Sequence, residues 1–172
     1  QLTAAREISR LGASSYTAAG RNVVRVTFSG ARVTNPALRH LEPLTHLRRL
    51  VIRNTQLTLE SLEILDSLPD LRVLELHGAT ITDEWLEQLS RLDCSPQTLV
   101  LTDTQVTNAG LRSVAGLTRL EWLAINDSQI NENGLDNLKG LDKLQLYLCR
   151  TRVSEDGVAE LRKTARVVQV QQ

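Results

Sequence analysis

The sequence has few of the residues that mark disulfide-stabilised, membrane-spanning or nucleic-acid-binding proteins. Its 172 residues include two cysteines, no methionine and 3% aromatic residues. Two cysteines make no disulfide framework, and no apolar run approaches the ~20 residues that a membrane-spanning helix needs. The net charge is zero, so overall charge favours neither nucleic acid nor a membrane as partner. What remains is a chain of one-domain size that is 41% hydrophobic, enough for a substantial core.

The start of the chain carries little information about its compartment. It begins at Gln1 and shows no secretory signal. Together with the lack of methionine, this indicates a processed or trimmed chain. Export after removal of a signal peptide stays open.

What the sequence has instead is an internal repeat of 24 residues, which is the first feature to seek in a sequence. The unit is L-x-x-L-x-L-x-x-T-x-V-T-x-x-G-L-x-x-L-x-x-L and two free positions, numbered here from zero. Six units begin at Val23, Leu47, Leu71, Pro96, Leu120 and Lys143. The third unit has one extra residue near Cys94, and the fifth is one residue short near Asp142.

Each unit has the pattern of one strand followed by one short helix. Positions three and five are apolar with period two, which predicts a strand with one buried face. Positions fifteen, eighteen and twenty-one are apolar with spacing three, which predicts a helix. Position eleven carries predicted N-caps: Thr34, Thr58, Thr82, Thr107, Asn131 and Ser154. Position eight often carries a hydroxyl, which we expect to turn inward and bond the loop backbone.

A single unit cannot bury its apolar face, so the units must stack. The sequence predicts an α/β fold, a right-handed leucine-rich-repeat solenoid with a parallel sheet on the concave side and short helices on the convex side. Residues 1–22 are interpreted as an N-terminal cap of helix plus hairpin. Six leucine-rich repeats then cover 23–166, and a terminal strand follows over 167–172, in which Val170 continues position three.

The runs Val33-Thr34-Asn35, Ile81-Thr82-Asp83 and Val106-Thr107-Asn108-Ala109-Gly110-Leu111 carry a family resemblance. They resemble the T-x-V-T-D-A-G-L repeats of planctomycete-type bacterial leucine-rich-repeat proteins and are similar to F-box-type leucine-rich repeats. The resemblance covers about residues 23–166. It implies the solenoid fold and an interaction scaffold, without naming a partner. Trp85 departs from the pattern, because small residues are usual at its position.

Positions two, four and six of each strand are predicted to be exposed on the concave side, a surface we call the outer sheet face. Position two reads Arg25, Arg49, Val73, Thr98, Trp122 and Gln145. Position four reads Thr27, Val51, Glu75, Val100, Ala124 and Tyr147. Position six reads Ser29, Arg53, His77, Thr102, Asn126 and Cys149.

Three of the five aromatic residues, Trp85, Trp122 and Tyr147, fall in columns predicted to be exposed. Trp122 and Tyr147 indicate a contact surface, although packing against neighbouring long side chains would also place them there. For Trp85 we favour packing over residues 94–96. The predicted partner-binding residues are Trp122, Tyr147, Arg49, Arg53, Glu75, His77 and Asn126.

Charge is unevenly distributed along the chain. Residues 1–53 hold nine arginines against two glutamates, a net charge of +7, and the remainder carries −7. Arg25, Arg49 and Arg53 share the outer sheet face and could steer an acidic partner; a solvated face is the alternative. Nucleic acid is disfavoured, because lysine and stacking aromatics are missing there.

No catalytic constellation stands out. There is no phosphate loop and no nucleophile elbow. His40, His46 and His77 lack metal-ligand spacing and are interpreted as surface histidines. Asp103 and Asp127 share position seven in adjacent units, where calcium is conceivable but turn-stabilising hydrogen bonds are preferred. We therefore expect no enzyme activity, no metal and no cofactor.

The leading hypothesis is a protein-protein interaction scaffold that binds a protein partner through the concave sheet. A targeting or regulatory segment of a larger enzyme is an alternative. So is a structural element that self-associates through its C-terminal edge strand. Cys94 and Cys149 lie two units apart, so the sequence predicts that they do not bond to each other.

Overall fold

The computed structural model describes residues 8–10, 13–19, 22–31, 33–163 and 166–171. Eight strands form one sheet in chain order: β1 (Ala13–Ala19), β2 (Asn22–Ser29), β3 (Arg49–Arg53), β4 (Val73–His77), β5 (Thr98–Thr102), β6 (Trp122–Asn126), β7 (Gln145–Cys149) and β8 (Arg166–Gln171). The connections hold α1 (Asn35–Arg39), a 3₁₀ helix (Leu59–Ser67), α2 (Asp83–Arg91), α3 (Gly110–Val114), α4 (Glu132–Leu135) running into a 3₁₀ turn (Asp136–Leu138), and α5 (Glu155–Leu161).

The strands pair in the register that the repeat predicts. From β2 to β8 every pairing is parallel. Position three lies beside position three, so that Leu50 pairs with Val26 on one side and Leu74 on the other. The predicted columns are confirmed from β2 to β7. In β8 the register prediction is wrong: Leu146 pairs with Val167, and Val170 pairs with Leu148, across an irregularity in the strand.

The hydrophobic core lies between the sheet and the helices. All twelve side chains at positions three and five of the six units are at most 1% exposed. The residues at position fifteen, on the helical side, are at most 6% exposed. Because every unit contributes the same columns, burial of apolar surface runs through the stack without interruption. The chain is therefore an α/β leucine-rich-repeat solenoid.

The N-terminal end of the sheet has a different geometry. β1 pairs antiparallel with β2, and Ala19 lies opposite Asn22 across the connection. Residues 8–10 are helical, and Ile8 is fully buried in the same core. The rest of the predicted cap helix lies outside the described residues.

Each strand of the six units ends in a left-handed residue at position seven. The residues and their φ angles are Gly30 (98°), Asn54 (48°), Gly78 (111°), Asp103 (53°), Asp127 (51°) and Arg150 (49°). Glycine, asparagine and aspartate tolerate this conformation better than other residues. The backbone N–H at this position donates to position six of the next strand, as from Asp103 to Asn126 at 3.1 Å. This turn directs the chain from the sheet toward the helix.

The position-eight expectation holds only in part. Thr55, Thr104 and Ser128 are buried as predicted, but Ala31 and Ala79 are exposed. The Ser128 hydroxyl accepts from the Ile130 N–H at 3.4 Å. The Thr55 and Thr104 hydroxyls have no hydrogen-bond partner, so burial of their methyl groups is the stabilising contribution at those two sites.

Polar side chains at position twelve connect consecutive units, a contact we call the inter-repeat bridge. Asn108 accepts from the Asn131 backbone N–H at 3.1 Å and donates to the Asn131 side chain at 2.7 Å. Asn35 makes the same two bonds to Thr58, at 3.0 and 2.7 Å. Asp83 accepts from the backbone N–H and the hydroxyl of Thr107, both at 2.7 Å. The bridge satisfies an amide at the start of the next helix, which has no intrahelical partner.

The bridge explains the glycine of the repeat. A Cβ atom at Gly134 would lie 2.4 Å from Oδ1 of Asn108, and one at Gly110 would lie 2.3 Å from Oδ1 of Asp83. At these two junctions the bridging side chain therefore occupies the space that a larger residue at position fourteen of the next unit would need.

Ser61, buried in the unit that follows the Asn35 bridge, is one exception to this glycine rule. Trp85 is another, and the expectation that its column is exposed is wrong. It occupies position fourteen but is 3% exposed and belongs to the core. The preceding unit carries Leu59 at position twelve instead of an asparagine or aspartate, so no polar side chain fills the space. Leu59 packs against the same core and lines one cavity of about 490 Å³ with Trp85. An apolar pair thus replaces a polar bridge at one junction.

The predicted caps are only partly confirmed. Thr34, Thr58 and Thr82 are N-cap residues with extended backbone, but their side chains make no capping bond. Asn131 and Ser154 do cap, accepting from the N–H groups of Asn133 and Gly157 at 3.1 Å each. The helix of the fourth unit starts later than predicted, with Ala109 as N-cap. Several position-eleven groups bond the preceding unit instead.

We predict that Gly134→Ala destabilises the fold by about 1–3 kcal/mol, because the new methyl group must displace Asn108. Asn108→Ala alone should cost a similar amount through the lost bridge. The double variant should cost less than the two single effects added, by at least about 0.5 kcal/mol, because one empty site accommodates both changes. Urea unfolding measures all three free energies.

Gly140→Ala is the matched control, since a Cβ atom at this glycine would have no other atom within 4 Å. Its effect should stay within about 0.5 kcal/mol. Strict additivity of the Asn108 and Gly134 substitutions would contradict the bridge.

Candidate functional site

The outer sheet face is less open than predicted, because its middle column is largely covered. At position four, Thr27, Val51, Glu75 and Ala124 are buried, with exposures of 9%, 0%, 5% and 6%. Val51 and Ala124 are buried although they lie outside the hydrophobic core. Strands are only ~4.8 Å apart, so long side chains at positions two and six can lay their apolar stems over the middle column. The exposure prediction for position four is therefore wrong at these four residues.

At one end of this face, four predicted site residues form a charged cluster: Arg49, Arg53, Glu75 and His77. Glu75 pairs with Val51 in the sheet register, which places it diagonally between the two arginines. One of its carboxylate oxygens contacts Nη2 of Arg49. The other lies 3.7 Å from Nη2 of Arg53 and 3.5 Å from Nε2 of His77.

The charged cluster is built around a buried anion. The Glu75 side chain is 6% exposed, whereas those of Arg49 and Arg53 are 43% and 46% exposed. A buried carboxylate is costly unless cations compensate it. Glu75 is thus a supporting residue, held beneath the two arginines that reach solvent.

His77 is not the surface histidine that the sequence suggested. Its side chain is 19% exposed. Burial lowers the pKa of His77 below its ordinary value of 6.5, and the positive charge of Arg53 lowers it further, against the opposing effect of Glu75. The ring is therefore neutral at pH 7 and adds no positive charge to the cluster.

At the other end of the face lie Trp122 and Tyr147, which we call the aromatic pair. Both are half-buried, so the predicted partial exposure of Trp122 is confirmed. Tyr147 lies beside Ala124 in the register, and Trp122 is two residues before Ala124 on β6. Trp122 and Tyr147 are therefore diagonal neighbours on adjacent strands, with Ala124 beside Tyr147. Nearby, Asn126 donates from Nδ2 to the Thr102 hydroxyl at 3.1 Å, and its buried Oδ1 has no partner.

Sequence reasoning did not single out the other half-buried residues that surround the aromatic pair. They are Thr98, Val100, Gln145 and Cys149. The signal was present in the repeat register, since all four occupy positions two, four or six of the strands next to Trp122 and Tyr147. Together with the aromatic pair they form a mixed apolar and polar patch.

The remaining candidates are dispersed. His46 pairs with Asp70 at 3.0 Å on the surface, and His40 is exposed. No group of three or more His, Cys, Asp or Glu side chains within the described ranges could hold a metal ion. No helix in the described part of the chain is long and apolar enough to cross a membrane.

Asp127, one of the two aspartates at position seven, is held in an ion pair. Asp127 binds Nη2 of Arg150 at 2.6 Å and also contacts Nε of that residue. The hydrogen bonds from Arg150 lower the pKa of Asp127. The left-handed backbone at both positions favours aspartate over most other residue types.

The two cysteines are free, as predicted. Cys94 is buried, and its backbone N–H donates to the carboxylate of Asp66 at 3.1 Å. Burial and the negative charge of Asp66 raise the pKa of Cys94 to about 11. Cys149 is half-buried on the outer sheet face.

Comparison with known proteins provides no family assignment, so the fold is assigned from the strand register and the core. No protein-family model matches the chain, and no curated protein sequence matches it. Among solved structures it is similar to internalin C2 from Listeria monocytogenes, at 18% identity and a TM-score of 0.44. That similarity covers 87% of this chain and 81% of the internalin chain. A likeness at this level carries no argument about partners.

We predict that His77 makes stability sensitive to mildly acidic pH. Because its folded pKa is below 6.5, the unfolded chain binds the proton more readily, and stability falls as pH drops from about 7.5 to 5.5. His77→Asn keeps a donor beside Glu75 but does not titrate. Urea midpoints at the two pH values should differ more for the wild type than for the variant. An equal pH dependence would contradict this.

We predict that one thiol per chain reacts with a disulfide reagent at pH 8 in the native state, and two in urea. Cys149 reaches solvent, whereas burial and a pKa of about 11 leave Cys94 almost without thiolate. Cys149→Ser should abolish the native reaction, and Cys94→Ser should leave it unchanged. Native reaction of Cys94, or an intramolecular crosslink between the two, would refute the packing described.

Proposed function

We propose that this protein is an interaction scaffold that binds a protein partner through the outer sheet face and has no catalytic activity. The observation that supports this most is the placement of the aromatic pair. The sequence has five aromatic residues. Phe28 and Trp85 are buried in the core, whereas Trp122 and Tyr147 stay partly exposed on one face.

Energetics favour a partner at this patch. Leaving the ring of Trp122 in water forgoes about 25 cal/mol per Å² of apolar area. Tryptophan and tyrosine are also the side chains that most often anchor protein interfaces. Asn126, half-buried on the same face and bonded to Thr102, adds a polar side chain to the patch.

The two ends of the face have different roles in this proposal. The aromatic pair supplies affinity, and Arg49 and Arg53 supply electrostatic attraction. Glu75 and His77 contact the partner least, because they lie beneath or beside the arginines. Their role is to hold the guanidinium groups in place.

We predict that Trp122→Ala weakens partner binding at least about 30-fold, equivalent to about 2 kcal/mol, as interface anchors do. The free energy of unfolding should change by less than about 1 kcal/mol, because the side chain fills no part of the core. The chain is used to capture its partner from the source cells. The partner is then purified and titrated against wild type and variant by calorimetry.

Ile64→Ala is the control on the helical side, where Ile64 is partly buried against the core. It should lower stability and leave the dissociation constant unchanged, the reverse of the Trp122 pattern. If Trp122→Ala instead costs stability like a core deletion, about 2–5 kcal/mol, the residue is structural and the proposal loses its support.

A further inference from the structure

The arginines of the outer sheet face have more positive charge than the structure compensates. We call Arg25, Arg49 and Arg53 the arginine row. Arg25 and Arg49 lie directly beside each other on neighbouring parallel strands. Like charges in such a pair repel each other. An arrangement of this kind is stabilised when an anion lies between them.

Glu75 alone cannot neutralise this group. It contacts Arg49 and Arg53, and within the described residues Arg25 has no ion-pair partner. His77 is neutral at pH 7 because its pKa is lowered. Three guanidinium groups against one carboxylate leave a local charge of +2.

Hydrogen-bonding capacity is also in excess. A guanidinium group has five N–H donors, and two of them together can bind one carboxylate. Arg49 and Arg53 each reach Glu75 through Nη2, and their side chains stay 43% and 46% exposed. The floor between the arginines is formed by Thr27 and Val51, which are buried. The row therefore presents oriented donors above a closed surface.

We propose that the arginine row binds an acidic segment of a protein partner, with one carboxylate between Arg25 and Arg49 and a second at Arg53. This rests on the proposed scaffold function and names the chemistry of its partner. Trp122 and Tyr147 lie three and four strands beyond Arg49 and Arg53, roughly 14 and 19 Å away. An acidic segment followed by an apolar one would span both.

Charge distribution favours an acidic peptide over nucleic acid. Single-stranded nucleic acid is bound by stacking aromatics close to the basic contacts, whereas the aromatic pair lies three to four strands away. Beyond residue 53 the chain carries a net charge of −7, which repels an extended polyanion. A short acidic segment contacts only the basic end.

The test uses fluorescein-labelled hexaglutamate as the probe, measured by fluorescence anisotropy on the whole chain in 50 mM and 300 mM salt. Wild type should bind, more weakly at high salt. Arg25→Gln with Arg49→Gln should weaken binding at least about tenfold. The control, Arg112→Gln with Arg152→Gln, removes the same charge from exposed positions outside the outer sheet face and should change binding less than about twofold.

Arg25→Gln alone guards against a folding defect, because it disturbs no ion pair; it should still weaken binding. The proposal is overturned if wild type does not bind the probe, if both double variants lose binding equally, or if a twelve-residue oligothymidine binds more tightly than hexaglutamate. Trp122→Ala should leave probe binding unchanged. A negative result with the probe would therefore concern only the arginine row, because the aromatic pair is tested separately with the purified partner.

Discussion

The fold depends on one constraint: no unit can bury its own apolar face, so each strand must place the same two positions beside those of its neighbours. A slip of one residue would turn Leu50 and Ile52 outward and Val51 inward. The parallel register prevents this from β2 to β7. The crossover tolerates one residue more or less, as the third and fifth units show, because its length is absorbed in the loops, away from the paired strands.

The polar contacts of the crossover follow from that stacking. Once strands are in register, position twelve of one unit lies against positions eleven and fourteen of the next. Asn108 can then bond Asn131, provided that Gly134 leaves room. Where the polar side chain is absent, at Leu59, the space accepts the indole of Trp85. The residue at position twelve of one unit thus constrains the residues at positions eleven and fourteen of the next unit.

Sequence periodicity was enough to predict the core because burial there depends on one position at a time. Leu74, for example, is buried like every other residue at position three of the six units. Side chains whose environment depends on neighbouring units were harder to predict. The burial of Glu75 depends on Arg49 and Arg53 of another strand, and that of Trp85 depends on the residue at position 59. The residue types of Gly30, Asn54 and Gly78 indicate a left-handed turn at position seven. Arg150 adopts the same conformation in the last unit, but its residue type does not indicate it.

The same distinction explains why the outer sheet face divides into two parts. The residues of this face do not have to pack in the core. Their types therefore depend on cross-strand contacts and, under the proposed function, on the partner. In the charged cluster the contacts of Glu75 with Arg49, Arg53 and His77 already account for Glu75 and His77, and they leave the arginines only partly compensated. In the aromatic pair, both residues stay partly exposed. Under the proposed function, the residues of this face that we assign to contact with a partner are Arg25, Trp122 and Tyr147.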